Sequence, residues 1–361
     1  MEASAHVFLG SNSTEGFYSL YGQLLNARFD DLLIIKGGPG CGKSSFMRRV
    51  AERLPQELDR IYVNCSGDPE SLDGVFFPTI GAGLVDGTAP HALEPTYTAA
   101  HERYLDLTRF YDLEAARGAR EEIVSNTKAY RAEYASAYRV LHALGGLSGE
   151  RRAVVHAAMD FEKLERRVSG ILRRELRGTD GGPGRVDRAF LGGTTHLGEL
   201  CRFDTAEALC PRIYVFEDSF GLASEQLKQL CVAASEAGCD VLACPNPDRP
   251  EELQHVLVPA RDVAFVTSTA HLPYRGAPYR RLRVDAMAET ALPRKERARL
   301  RFTGRLEREL RSEAVEALRR AKGFHDRLEA AYNPCVDFDG VYGLAEREAE
   351  RLVARMNIAN C

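Results

Sequence analysis

Apolar and polar positions follow two rhythms along this chain. Short apolar runs, Leu32-Leu33-Ile34-Ile35, Ile61-Tyr62-Val63 and Gly83-Leu84-Val85, read as buried strands. Between the first two, Phe46, Val50 and Leu54 recur at helical spacing, with Arg48, Arg49, Glu52 and Arg53 on the intervening positions. Strand, helix, strand in that order predicts an α/β domain. Farther on, Ile213-Tyr214-Val215-Phe216 predicts another strand, and Leu227, Leu230 and Cys231 a helix face behind it. Residues 98–145, 149–177, 294–331 and 341–356 are long, charged and poor in breakers apart from Gly118 and Gly145-Gly146, which predicts long helices. Tyr130, Tyr134 and Tyr138 share one helical face and predict a packed helix–helix interface. Thr179 through Gly184, with three glycines and a proline, reads as a linker.

Composition narrows the class. A chain of 361 residues exceeds one ordinary domain, and the linker divides it into 1–178 and 185–361. A content of 44% hydrophobic and 28% charged residues is that of a globular protein rather than a disordered one. The net charge of −4 argues against a uniformly basic nucleic-acid binder. Nine cysteines form no Cys-x-x-Cys pair, so the expectation is reduced thiols and a cytoplasmic location. Met1-Glu2-Ala3-Ser4 lacks the basic and apolar regions of a secretion signal. No apolar run approaches the roughly 20 residues that span a bilayer, so no membrane partner is expected.

The chemistry concentrates at Gly37-Gly38-Pro39-Gly40-Cys41-Gly42-Lys43-Ser44-Ser45, which satisfies G-x-x-x-x-G-K-[ST]. Its glycines open backbone conformations that let successive N–H groups converge on phosphate oxygens. The helix that follows points its positive end at the same anion. In this pattern residues 38–45 bind nucleotide phosphates, Lys43 reaches the β- and γ-phosphates, and Ser44 ligates Mg²⁺. The strand ending at Asp86 supplies a second carboxylate on the magnesium side, so Lys43 and Asp86 are the candidate catalytic pair. Asp68, Glu70 and Asp73 follow the strand at 60–65 and could orient an attacking water; turn and cap chemistry accounts for them equally well. His91, after Thr88-Ala89-Pro90, either senses the γ-phosphate or caps a loop.

The second half echoes the first. Gly40 corresponds to Gly221, Pro78 to Pro259 and Thr88-Ala89 to Thr269-Ala270, all at an offset of 181, and Phe8-Leu9-Gly10 returns as Phe190-Leu191-Gly192. The frame repeats without its phosphate chemistry. Ser224 stands at the position of Lys43, Glu225 at Ser44, Asp218 at Gly37 and Thr267 at Asp86. Glu70 is matched by Glu251, which favours a structural role for it.

Phe8-Leu9-Gly10 with Gly16-Phe17, Ile34 through Ser45, Asp68 through Val75, and Val85 through His91 resemble the bacterial tandem P-loop ATPases, a largely uncharacterised family. The resemblance takes in both halves and is most specific at the phosphate loop and at Asp86 through His91. It implies P-loop NTPase-like parallel sheets, internally duplicated, with helical insertions, the first at about 98–177. It also implies ATP as the nucleotide. The expected activity is Mg²⁺-dependent ATP hydrolysis at a single N-terminal site. The alternatives are a small-molecule kinase using the same loop, and a nucleotide-gated binding protein that does not hydrolyse. An arginine completing the site could come from Arg249 or Arg261. The acceptor or protein partner is unspecified. Residues 280–322 carry fourteen Arg or Lys against seven Asp or Glu, but Arg and Glu interspersed on a long helix read as a solvated face, and no nucleic-acid motif accompanies them.

Overall fold

The computed structural model describes residues 4–25, 28–176, 178, 182–289 and 291–359. Met1–Ala3 and the linker positions 179–181 lie outside the described residues. The first half begins with β1 (Ser4–Val7) and the hairpin β2 (Gly10–Ser13) and β3 (Gly16–Ser19). Then come β4 (Asp31–Lys36), α1 (Lys43–Arg53), β5 (Arg60–Asn64), β6 (Leu72–Phe77), β7 (Ala82–Asp86) and β8 (Glu102–Asp106). Helices α2 (Leu113–Gly118), α3 (Arg120–His156) and α4 (Phe161–Glu175) follow. The second half repeats the plan with β9 (Val186–Arg188), the hairpin β10 (Gly192–Thr195) and β11 (Gly198–Cys201), α5 (Phe203–Leu209) and β12 (Arg212–Glu217). It continues through α6 (Ser224–Glu236), β13 (Val241–Pro245), β14 (Leu253–Val258), β15 (Val263–Ser268) and β16 (Arg280–Arg283). It ends with α7 (Ala286–Glu289), α8 (Arg294–Tyr332) and α9 (Phe338–Ala359).

Two six-stranded sheets result, in the orders β1-β5-β6-β7-β4-β8 and β9-β13-β14-β15-β12-β16. The orders match strand for strand, so the repeat in the sequence is a repeat in the fold. The expected parallel sheets are corrected: both are mixed, because β6 and β14 run antiparallel to both of their neighbours. The reason is connection length. Seven residues join β5 to β6 and four join β6 to β7. A parallel crossover needs a dozen or more.

The helical insertion at 98–177 is corrected at its start. Glu102–Asp106 is the edge strand β8, parallel to β4, and helix begins at Leu113. Beyond that the long helices form, and Gly145 and Gly146 lie inside α3 without breaking it.

The molecule has two compact units. Unit 1 comprises Met1–Gly10, Ser19–Ser136 and Glu316–Cys361; unit 2 comprises Ser11–Tyr18 and Ala137–Val315. The units therefore differ from the consecutive segments 1–178 and 185–361. In unit 1, α9 sets Val341, Ala345, Ala349 and Leu352 into the same core as Phe46, Met47 and Val50 of α1. In unit 2, α4 sets Leu164, Val168 and Ile171 into the core with Leu227 and Leu230 of α6. Each sheet thus receives the terminal helix of the other half of the chain. Fully burying an aliphatic side chain contributes about 1.5–3 kcal/mol, so these stripes fix the exchange. The shared echo Met159-Asp160-Phe161 and Val336-Asp337-Phe338 marks the two helix starts. The Asp160 carboxylate accepts the Lys163 N–H at 2.9 Å, and the Asp337 carboxylate accepts that of Gly340 at 3.0 Å.

Helices α3 and α8 pack on one another within each unit. In unit 1 Arg320 Nε donates to Glu133 at 2.9 Å and Tyr130 meets His325 edge-on at 5.9 Å. In unit 2 Leu141, Leu144 and Ala314 form a small buried cluster. Several cations of the basic stretch are paired: Arg281 with Glu217, Arg299 with Glu150, Arg311 with Glu199 and Lys322 with Asp68. Among the described residues, no helix is long and apolar enough to cross a membrane.

Candidate functional site

In unit 1, β4 delivers the chain into residues 37–42, and α1 carries it away from Lys43. Gly40 and Gly42 lie in the left-handed region, at φ 69° and 83°. At Gly40 the helix α8 approaches as well: a Cβ there would meet the Glu329 backbone at 3.2 Å. A side chain is therefore excluded by conformation and by space. Lys43 Nζ donates to the Gly37 and Gly38 carbonyls at 2.9 Å each and stands 3.6 Å from Asp86 Oδ2. Tyr111 donates its hydroxyl to the Pro39 carbonyl at 3.0 Å. Cys41 is buried beside Lys43, and burial pushes its thiol up. Ser44 Oγ accepts the Leu72 N–H at 2.9 Å, which ties the first turn of α1 to β6. Ser45 is exposed at the start of the helix.

Asp86 ends β7, as its apolar run predicts, and Ile35 of β4 is its partner in the parallel register. The Thr88 N–H donates to Asp86 Oδ1 at 2.8 Å, and the Thr88 hydroxyl donates to the same oxygen. Of the three acids after β5, the structure brings only Asp73 to this place. Asp68 caps the Glu70 N–H at 3.2 Å and pairs with Lys322, and Glu70 is exposed. Asp73 is buried in β6 and joins Asp86 and His91, with donor atoms of all three within 4.8 Å of one another. Tyr21, which the sequence reading missed, donates to Asp73 Oδ2 at 2.9 Å and stacks on His91 with ring centroids 4.3 Å apart. Burial holds Asp73 above the usual carboxylate range; His91 pulls it down and Asp86 pushes it up. Burial, reinforced by Asp73, likewise raises the Tyr21 phenol.

The corresponding loop of unit 2 is built differently. Gly221 repeats the left-handed conformation at φ 69°, but Ala223, at the position of Gly42, has φ −91°. Asp218, at the position of Gly37, turns its carboxylate into the loop. Its oxygens accept the N–H groups of Leu222 at 2.9 Å, Ala223 at 2.8 Å and Phe220 at 3.3 Å. Asp285 takes the Ser219 N–H at 3.0 Å. A serine tie to the following strand is made here too, one position earlier: Ser224 Oγ accepts the Leu253 N–H at 3.1 Å. A cavity of about 90 Å³ adjoins this loop, lined by Arg151, Glu199, Asp248, Glu307 and Arg311 among others. Arg249 pairs with Glu252 at 3.0 Å, and Arg261 donates to Cys239 Sγ at 3.3 Å, so both side chains are engaged within unit 2.

These features define a duplicated α/β protein with two six-stranded mixed sheets, one of which carries a glycine-rich loop, a lysine and a carboxylate at its strand ends. No family model matches the chain, and no curated protein or solved structure matches it.

Proposed function

We propose that residues 38–45 bind MgATP and that the chain hydrolyses its β–γ phosphoanhydride at this single site. The observation that carries the reading is the join of a left-handed glycine loop, the N-terminus of α1 and a lysine that stands 3.6 Å from a strand-end carboxylate. Loop N–H groups and the helix terminus favour an anion. Lys43 now rests on loop carbonyls, and a β- or γ-phosphate would exchange those contacts for charge-assisted ones. Ser44 and Asp86 would hold Mg²⁺, which screens the phosphate charge when bound. Lys43 would take up charge that develops on the γ-phosphoryl oxygens as water attacks in line. ATP is preferred to GTP by resemblance and because no N-K-x-D base-reading motif is present.

The test is phosphate release from MgATP by the full chain, with and without a pool of cell metabolites. Release without metabolites supports hydrolysis. ADP formation only with metabolites replaces it with the kinase reading, and tight binding without turnover with the switch.

A further inference from the structure

We propose that Asp73, Asp86 and His91 hold a first-row divalent transition-metal ion before any nucleotide arrives. Three segments bring the donors together: β6, the end of β7 and the turn after it. All three residues are buried, at 7%, 8% and 7% exposure. Donors around one such ion, each about 2.1 Å from it, lie up to about 4 Å apart, so a set already within 4.8 Å closes by small side-chain rotations.

The surroundings orient the donors as outer-shell partners do. The Tyr21 hydroxyl fixes one oxygen of Asp73, and Thr88 fixes one oxygen of Asp86. The stacked Tyr21 ring sets the plane of His91. Two adjacent buried carboxylates are costly; Lys43, 3.6 Å from Asp86 Oδ2, offsets part of that cost, and a divalent ion shared with Asp73 would offset more. An imidazole nitrogen beside carboxylate oxygens suits Mn²⁺, Fe²⁺, Co²⁺ or Zn²⁺ better than Mg²⁺ or Ca²⁺. The repeat sharpens the point. Unit 2 carries Gln254 and Thr267 at the positions of Asp73 and Asp86, although a histidine, His271, remains in the turn. The carboxylates are thus present only in the unit that also has Lys43. This deepens the nucleotide reading, since Asp86 serves both, but the ion needs no nucleotide to bind.

The experiment titrates Co²⁺ into the chelator-treated full chain without nucleotide and follows visible d–d absorption and bound metal. One saturable equivalent per chain is expected. His91→Ala and the isosteric Asp73→Asn should each weaken it about tenfold or more, and Ser224→Ala, in unit 2, should retain it. Circular dichroism of each variant separates lost donors from lost fold, and Tyr21→Phe gives a milder third reading. No saturable uptake by the wild type, or equal uptake by folded His91→Ala and Asp73→Asn, overturns the proposal. Co²⁺ uptake without ATP affinity would sink the nucleotide reading while supporting this one; ATP affinity without Co²⁺ uptake would do the reverse.

Discussion

The loops at 37–43 and 218–224 occupy the same place in two sheets of the same order, and they satisfy their backbone in opposite ways. In the second, a carboxylate of the loop itself collects three N–H groups. In the first, glycine stands at that position and offers no carboxylate. A phosphate nest is a concave set of donors that asks for an anion. The second loop meets the demand with hydrogen bonds to its own tethered carboxylate, Asp218. On the proposed reading, the first would take its anion from outside. On the same reading, the second loop is a site whose anion has been replaced by a side chain, and the replacement can be tested.

The largest expected effect is on Asp218→Ala. Removing the carboxylate strands three donors in a buried loop, at about 1–3 kcal/mol each for the worst placed, and we expect a loss of about 4 kcal/mol in the unfolding of unit 2. Urea denaturation followed by hydrogen exchange reads it. Millimolar sulfate should stabilise this variant more than the wild type, because the nest is then open to an external anion. A variant as stable as the wild type would show that Asp218 is not the stand-in.

Next comes a pH effect confined to the cavity of unit 2. Burial pushes Glu199 up to about 7 from 4.5; Arg311, 2.7 Å away, pulls it down less, and Asp248 adds to the rise. The native state then binds this proton more tightly than the unfolded chain. Stability should fall as pH rises from about 4.5 to about 7 and level off above, by about 3 kcal/mol at most. Glu199→Gln should flatten that slope. A wild-type stability that rises through the window would reverse the sign and reject the account.

The third contrast is between Lys43 and its sequence counterpart Ser224. Lys43→Ala should lower ATP affinity about 100-fold, roughly one strong charge-assisted hydrogen bond, while Ser224→Ala leaves it unchanged. Calorimetry should give one ATP per chain. A stoichiometry of two, or equal effects of the two substitutions, would erase the distinction between the loops.

Much of this arrangement is legible in the sequence. The strand at 32–35, the loop and the helix at 46–54 announce themselves because a buried strand and an amphipathic helix have different periods. Asp86 is legible because it closes an apolar run. The repeat is legible because its offset is constant from Gly40 to Thr88. Other features resist for physical reasons. Glu102-Arg103-Tyr104-Leu105-Asp106 is an edge strand, and its polar alternation hides it in a helix-like stretch. Asp73 looks like its neighbours Asp68 and Glu70 until β6 buries it. Tyr21 lies between strands, with no local pattern to connect it to residues 73 and 91. The exchange of α4 and α9 between sheets is invisible because an apolar stripe states that a helix packs, not on which sheet.

The smallest predicted effect tests how far the first loop is held open by its surroundings. Tyr111 follows β8 and donates to the Pro39 carbonyl at 3.0 Å, and its ring lies edge-on to Tyr332 at 5.4 Å. Burial raises the phenol far above its ordinary range, so it remains a donor at every working pH. Tyr111→Phe keeps the ring packing and removes only the hydrogen bond, a loss of about 1 kcal/mol. If that bond orders the loop for an incoming phosphate, ATP affinity should fall about fivefold, matching that energy. Thermal stability should fall by no more than that energy, because the Pro39 carbonyl lies in a half-buried turn that water can reach. The corresponding loop of unit 2 has its own carboxylate to hold it, and the substitution should not touch its behaviour. Equal ATP affinity in wild type and Tyr111→Phe would mean that the glycines and the helix terminus shape the nest unaided.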